Sequence, residues 1–150
     1  MKKARLVSVV DVHIIFENEK GEWLFSRRAN TGYKDGQFSL VAGHLEPGES
    51  LKACAIREAM EEAGVAVDTD ALELRHVMRR DSDQHRISFF FLCRTWTGTL
   101  ENREPHKCAG FLWRRPDEPP LPIVDHVERA IQSIRTGELV GDYTAPGFAP

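Results

Sequence analysis

Residues 7–16 form a nearly unbroken apolar run rich in β-branched side chains, Asn18-Glu19-Lys20-Gly21 follows as a turn former, and Trp23, Leu24 and Phe25 resume the run. The alternation of run, turn and run predicts a β-hairpin. Residues 29–37 are polar and turn-prone, and residues 38–42 form a short apolar strand. Residues 51–63 contain no Gly or Pro and carry helical periodicity. Two further runs, 72–78 and 87–93, flank the polar turn Arg80-Asp81-Ser82-Asp83-Gln84 and are expected to pair antiparallel. Residues 111–113 suggest another strand, the PDEPPLP segment a stop, and residues 123–134 a closing amphipathic helix with Val124, Val127, Ala130, Ile131 and Ile134 on one side. No repeat or linker interrupts this order. Strands before and after one central helix, with a second helix at the end, predict an α/β fold in which a central mixed β-sheet is flanked by helices.

A length of 150 residues suits one domain, 1–150, and 41% hydrophobic with 29% charged residues is an ordinary globular balance. The 20 basic and 23 acidic side chains are mixed along the chain, giving a net charge of -3, which argues against a nonspecific nucleic-acid or membrane surface and for a small-molecule partner. Cys54, Cys93 and Cys108 lie far apart without a CxxC pair, so neither a disulfide framework nor a zinc site is expected, and a reducing cytoplasm is the expected compartment. Lys2, Lys3 and Arg5 precede the first apolar run, but Asp11 and His13 break that run short of a signal peptide or membrane span.

The chemistry concentrates in residues 43–65, GHLEPGESLKACAIREAMEEAGV. In Glu46-Pro47-Gly48-Glu49, Pro47 presets φ and Gly48 supplies the positive φ of a type II turn. Ser50 can cap the helix that follows, and Gly64 is placed as its left-handed stop. At about 100° per residue, Ala53, Ile56, Ala59, Met60 and Ala63 gather on one side, and Arg57, Glu58, Glu61 and Glu62 on the other. That acidic side costs stability: Glu58 and Glu62 repel by about a few tenths of a kcal/mol, and the last turn of a helix prefers cations. A hard divalent cation held by carboxylate oxygens, bridging to a substrate phosphate, explains the crowding.

The stretch fits G-x5-E-x7-R-E-U-x-E-E-x-G-U, with U apolar, through Gly43, Glu49, Arg57, Glu58, Ala59, Glu61, Glu62, Gly64 and Val65. The seven fixed letters arise by chance at roughly one in 10⁸ start positions or fewer. This resembles the Nudix box, with Ala59, where a larger aliphatic is common, as the mildest departure. Arg27-Arg28 before the box and the NREPHKC segment leading to Trp113 resemble the MutT-type branch of nucleotide pyrophosphatases. The resemblance implies an α/β/α sandwich and hydrolysis, with Mg²⁺ or Mn²⁺, of a nucleoside diphosphate linked to another group. It implies a nucleotide as partner, with no stable nucleic-acid binding and no membrane, and a homodimer is an open expectation.

Carried over by position, the resemblance implies that Glu58, Glu61 and Glu62 ligate metal with the Gly43 carbonyl, that Arg57 orients the glutamates, and that Glu49 supports the loop or a further metal. Glu58 is also a candidate general base. Glu104 is the candidate for a further carboxylate outside the box, as ligand or base, with Glu101 behind it. Arg27 and Arg28 resemble phosphate contacts, because the guanidinium fork matches phosphate geometry; strand alternation sends one to solvent, and Arg27 is the favoured one. His44, His85 and Trp113 are weaker substrate candidates, Trp113 being better suited to the core. Residues 66–103 contain neither Pro nor Tyr, so they lack the family's ADP-ribose and dinucleoside polyphosphate signatures. The substrate expected is a nucleoside triphosphate, canonical or oxidised, with a nucleotide sugar or a non-catalytic nucleotide-binding role as alternatives.

Overall fold

The computed structural model describes residues 3–149; Lys2, part of the basic start read above, lies outside them. Among the described residues, two sheets, two α-helices and one short 3-10 helix (Thr69–Ala71) form the fold. Strands β1 (Val9–Phe16), β4 (Val41–His44), β5 (Leu72–Asp81), β6 (His85–Cys93) and β8 (Val140–Thr144) make a five-stranded sheet in the order β4-β1-β6-β5-β8. It is mixed, with β1 parallel to β6, β5 parallel to β8, and the β1/β4 and β5/β6 pairs antiparallel. Strands β2 (Trp23–Arg28), β3 (Phe38–Ser39) and β7 (Cys108–Arg114) make a small antiparallel sheet in the order β3-β2-β7.

Helices α1 (Leu51–Ala63) and α2 (Asp125–Thr136) serve two separate cores. Strand alternation divides β1 and β6 between them. Val12, Ile14 and Phe16 of β1 and Phe91 and Cys93 of β6 share a core with Cys54, Ala55, Ala59 and Ala63 of α1. Ile15, Phe90 and Leu92 share the other with Val124, Val127, Ala130, Ile131 and Ile134, which meets the expectation for the second helix. A central mixed sheet with a helix on each face is the α/β architecture expected. No helix among the described residues is long and apolar enough to cross a membrane.

The expected β1–β2 hairpin does not form. The turn at residues 18–21 closes tightly, with Gly21 N–H donating to Asn18 O at 3.0 Å, yet β1 and β2 share only the bridge Glu17↔Trp23. Both long edges of β1 are taken by β4 and β6, and β2 finds its partners in β3 and β7. The run 38–42 is likewise divided: Phe38 and Ser39 pair with β2, and Val41 onward with β1. Strands β5 and β6 pair antiparallel as expected, but β5 runs on to Asp81, so Arg80 is a buried strand residue and the turn is residues 82–84. Strand β8, polar and exposed in alternation, has no counterpart in the sequence expectation.

Candidate active site

Local chemistry places the acidic helix as read. Glu49 N–H closes the turn onto Glu46 O at 3.1 Å, and Gly48 has φ 78°. Ser50 Oγ accepts from Ala53 N–H at 3.1 Å, and Gly64 ends the helix at φ 69°. The face assignment differs. Ala53 is exposed and Met60 is 51% exposed, whereas Glu58 is buried. The inward side carries Cys54, Ala55, Glu58, Ala59 and Ala63, a rotation of about one residue's step, ~100°. Two of the glutamates therefore lean on β4 rather than away from it. Ala42 N–H donates to Glu62 Oε2 at 3.1 Å, and Gly43 is the strand position over which Glu58 lies, where any Cβ would collide with its carboxylate.

Arg57 organises the acids. Its Nε and Nη2 bind Glu49 at 2.7 and 2.9 Å as a fork, Nη1 reaches Glu58 at 2.7 Å and Glu61 at 3.3 Å, and Nη2 also donates to His44 O at 3.0 Å. These bonds hold Glu49 down at about 2 and Arg57 well above its ordinary range. Glu58 and Glu62 move the opposite way. Burial raises Glu58 despite Arg57; burial, with the charge of Glu58 next, pushes Glu62 up to about 8.

These side chains form one wall of a cleft of about 720 Å³ lined by Gly43, His44, Glu58, Glu61, Glu62 and Glu104 together with Arg28, Asn102 and Lys107. A cleft of that size accommodates a nucleotide. Arg28 belongs to it, its Nε donating to Tyr33 O at 2.8 Å and its Nη2 to Thr31 Oγ1 at 3.2 Å. Arg27, the favoured guanidinium, lies outside the lining, with Nε on Gly36 O at 3.1 Å and its guanidinium over Phe38. His85 is also outside, bonded to Asp81 and edge-on to Phe148. Glu101 pairs with Arg103 on the surface, and Trp113 stacks beside Trp96 against the first core.

The floor of the cleft was not foreseen. Asp11, His13, Arg80, Arg86 and His126 all line it and are all buried. Asp11 Oδ2 accepts from Arg80 Nη2 at 3.1 Å and from Arg86 Nη1 at 3.2 Å, while Asp83 takes the other edge of Arg86 at 2.8–2.9 Å. Burial drives His13 down to about 3, leaving it neutral at pH 7, so it is the two arginines that keep Asp11 ionised against its own burial. The signal was in the sequence: Asp11 and His13 interrupt an apolar strand two residues apart, on one face.

All the acidic groups of the wall offer carboxylate oxygen, the donor set of a hard divalent cation. Among the described residues no three His, Cys, Asp or Glu side chains converge closely enough to enclose an ion; the glutamates are instead bonded to Arg57 and to Ala42 N–H. The fit rests on the raised Glu58 and Glu62, whose buried negative charge a cation would compensate, and on the space at Gly43 that keeps a carboxylate over the β4 backbone.

The fold and the chain have known relatives. A MutT NUDIX hydrolase from Burkholderia pseudomallei superposes with a TM-score of 0.77 at 20% identity, over 85% of this chain and 98% of that one. A MutT protein from Methanosarcina mazei Go1 gives 0.76 at 19%, over 89% and 97%. A Bacillus subtilis (strain 168) protein that carries 8-oxo-dGTP diphosphatase in its name is 27% identical over 124 residues, 83% of this chain and 78% of its own length. The NUDIX domain model matches residues 7–134, and on that match, with the acidic helix it contains, the chain belongs to the Nudix hydrolase family.

Proposed function

We propose that the protein hydrolyses a nucleoside triphosphate, normal or oxidised in its base, to the monophosphate and pyrophosphate. The observation that carries this reading is that the acidic set Glu58, Glu61, Glu62 and Glu104 lines one nucleotide-sized cleft together with Arg28 and Lys107. The relative named for 8-oxo-dGTP makes the oxidised purine the first substrate to try.

In the reaction water adds to phosphorus, the P–O bond to the leaving phosphate group breaks, and that group departs with the bond's electrons. Mg²⁺ or Mn²⁺ held by Glu58, Glu61, Glu62 and the Gly43 carbonyl would supply charge neutralisation at the phosphates. Arg28 orients the phosphate chain through its guanidinium. Glu58 or Glu104 accepts the proton of the attacking water, both lining the cleft that would hold the phosphates. Arg57 keeps Glu58 and Glu61 from turning away.

The test is pyrophosphate release from a panel of NTPs, dNTPs, 8-oxo-dGTP and nucleotide sugars, with Mg²⁺ and with Mn²⁺. Turnover of a triphosphate with one pyrophosphate per monophosphate is expected. Tight nucleotide binding without turnover of any compound would overturn it.

A further inference from the structure

Glu104 is brought to the acidic wall by a loop without regular structure, residues 101–107, and a loop places a carboxylate only as well as its own bonds allow. Two sets of bonds fix this one. At its start, Glu101 N–H donates to Ala63 O at 3.1 Å and Arg103 N–H to Glu62 O at 3.0 Å. The loop is thus grafted onto the last carbonyls of α1, including that of Glu62 itself. The Arg103 side chain lies across Gly64, where a Cβ would meet its Nε at 2.5 Å.

The second set closes the loop on Asn102. Its Oδ1 accepts from Glu104 N–H at 3.0 Å, and its Nδ2 donates to Cys108 O at 2.7 Å, where β7 begins. Lys107 and Cys108 N–H both return to Glu104 O at 2.9 Å. The backbone donor and acceptor of Glu104 are both committed, and one side chain spans the loop from Glu104 to β7. Only an amide does this: Asp accepts but cannot donate, Ser spans one end, and Ala neither.

We propose that Asn102 is the positioning residue that holds Glu104 against Glu58 and Glu62; this rests on the reading of Glu104 as a working carboxylate of the site. A loop brace without that role would cost stability alone. A positioning residue loses its effect when Glu104 is already disabled, so the two substitutions must be non-additive.

The experiment compares wild type, Asn102→Ala, Asn102→Ser, Glu104→Gln and the Asn102→Ala/Glu104→Gln double variant. Mn²⁺ binding without nucleotide is read from the paramagnetic resonance of free Mn²⁺, and kcat and KM from pyrophosphate release. Asn102→Ala is expected to reproduce the effect of Glu104→Gln in whichever readout that variant moves, by about tenfold or more, with KM for nucleotide changing by less than about twofold. The double variant should match Glu104→Gln. Asn102→Ser, which keeps the acceptor, should fall between and serves where the alanine variant does not fold. Losses that multiply in the double variant overturn the proposal. So does wild-type behaviour of Asn102→Ala and Asn102→Ser, or of Glu104→Gln. If wild type turns over no nucleotide, the proposed function fails while the Mn²⁺ titration still decides the role of Asn102.

Discussion

Replacing Glu62 by Gln should make the metal-free protein more stable, increasingly so as pH rises from about 4.5 to about 8. Glu62 holds its proton up to about 8 in the folded chain against an ordinary 4.5. Its contribution is therefore favourable below about pH 4.5 and is lost as pH rises through about 8. At about 1.4 kcal/mol per tenfold change in proton affinity, ionising it in place costs on the order of 4–5 kcal/mol. Glu58 and Glu62 titrate as a coupled pair, so only part of that, on the order of 2 kcal/mol, should appear on replacing one partner. For a domain of this size that is ~4–8 °C in Tm. Thermal unfolding in EDTA at pH 5 and pH 8.5 tests it. Glu62→Gln should match wild type at the lower pH and exceed it at the higher. Adding Mn²⁺ at pH 8.5 should raise wild type and leave the variant nearly unmoved. A variant no more stable than wild type at pH 8.5 in EDTA would refute the claim that this carboxylate is held under electrostatic stress.

Arg28→Ala should raise KM for nucleotide by about tenfold or more, the worth of one charge-assisted bond, while Arg27→Ala stays within about twofold; steady-state kinetics showing the reverse would return the phosphate role to Arg27. Asp11→Ala should cost about 3–5 kcal/mol in urea denaturation, because it leaves Arg80 and Arg86 buried without their shared carboxylate; a loss under about 1 kcal/mol would mean the floor is wetter than its burial indicates. Gly43→Ala should cost about 1–3 kcal/mol through overpacking and weaken Mn²⁺ binding, since the new methyl takes the place of the Glu58 carboxylate; unchanged binding with the fold intact would show that Glu58 works from another rotamer.

What the sequence disclosed was local. The turn at Pro47-Gly48, the Ser50 cap and the Gly64 stop each depend on residues within a few positions, and each stands as read. The acidic set and Arg28 were equally visible as residue types. Pairing was not, because the partner of a strand is chosen by the whole sheet: a sound turn at residues 18–21 sits between strands of different sheets. Periodicity misjudged α1 for a related reason. It assigns Met60 and Ala53 to the core by hydrophobicity, but the β4 backbone at Ala42 and Gly43 offers Glu62 a hydrogen bond and Glu58 a space, and those contacts set the rotation. By its charge Arg80 reads as part of a polar turn; its bond to Asp11, sixty-nine residues away, is what permits its burial.

The two charged surfaces of the cleft solve opposite problems. On the floor, Asp11 and Asp83 offset the charges of Arg80 and Arg86, although Asp11 Oδ1 and His13 Nδ1 lie buried without a hydrogen-bond partner. On the acidic wall, among the described residues, Arg57 is the one cation bonded among Glu46, Glu49, Glu58 and Glu61, with Glu62 held by a backbone N–H alone and Glu104 paired loosely with Lys107 at 3.6 Å. That wall carries more negative charge than the protein neutralises, and a polyphosphate approaching it would be repelled until a cation intervened. On the proposed reading, cation and nucleotide should bind cooperatively, because the charge that would compensate Glu58 and Glu62 would also let the phosphates approach.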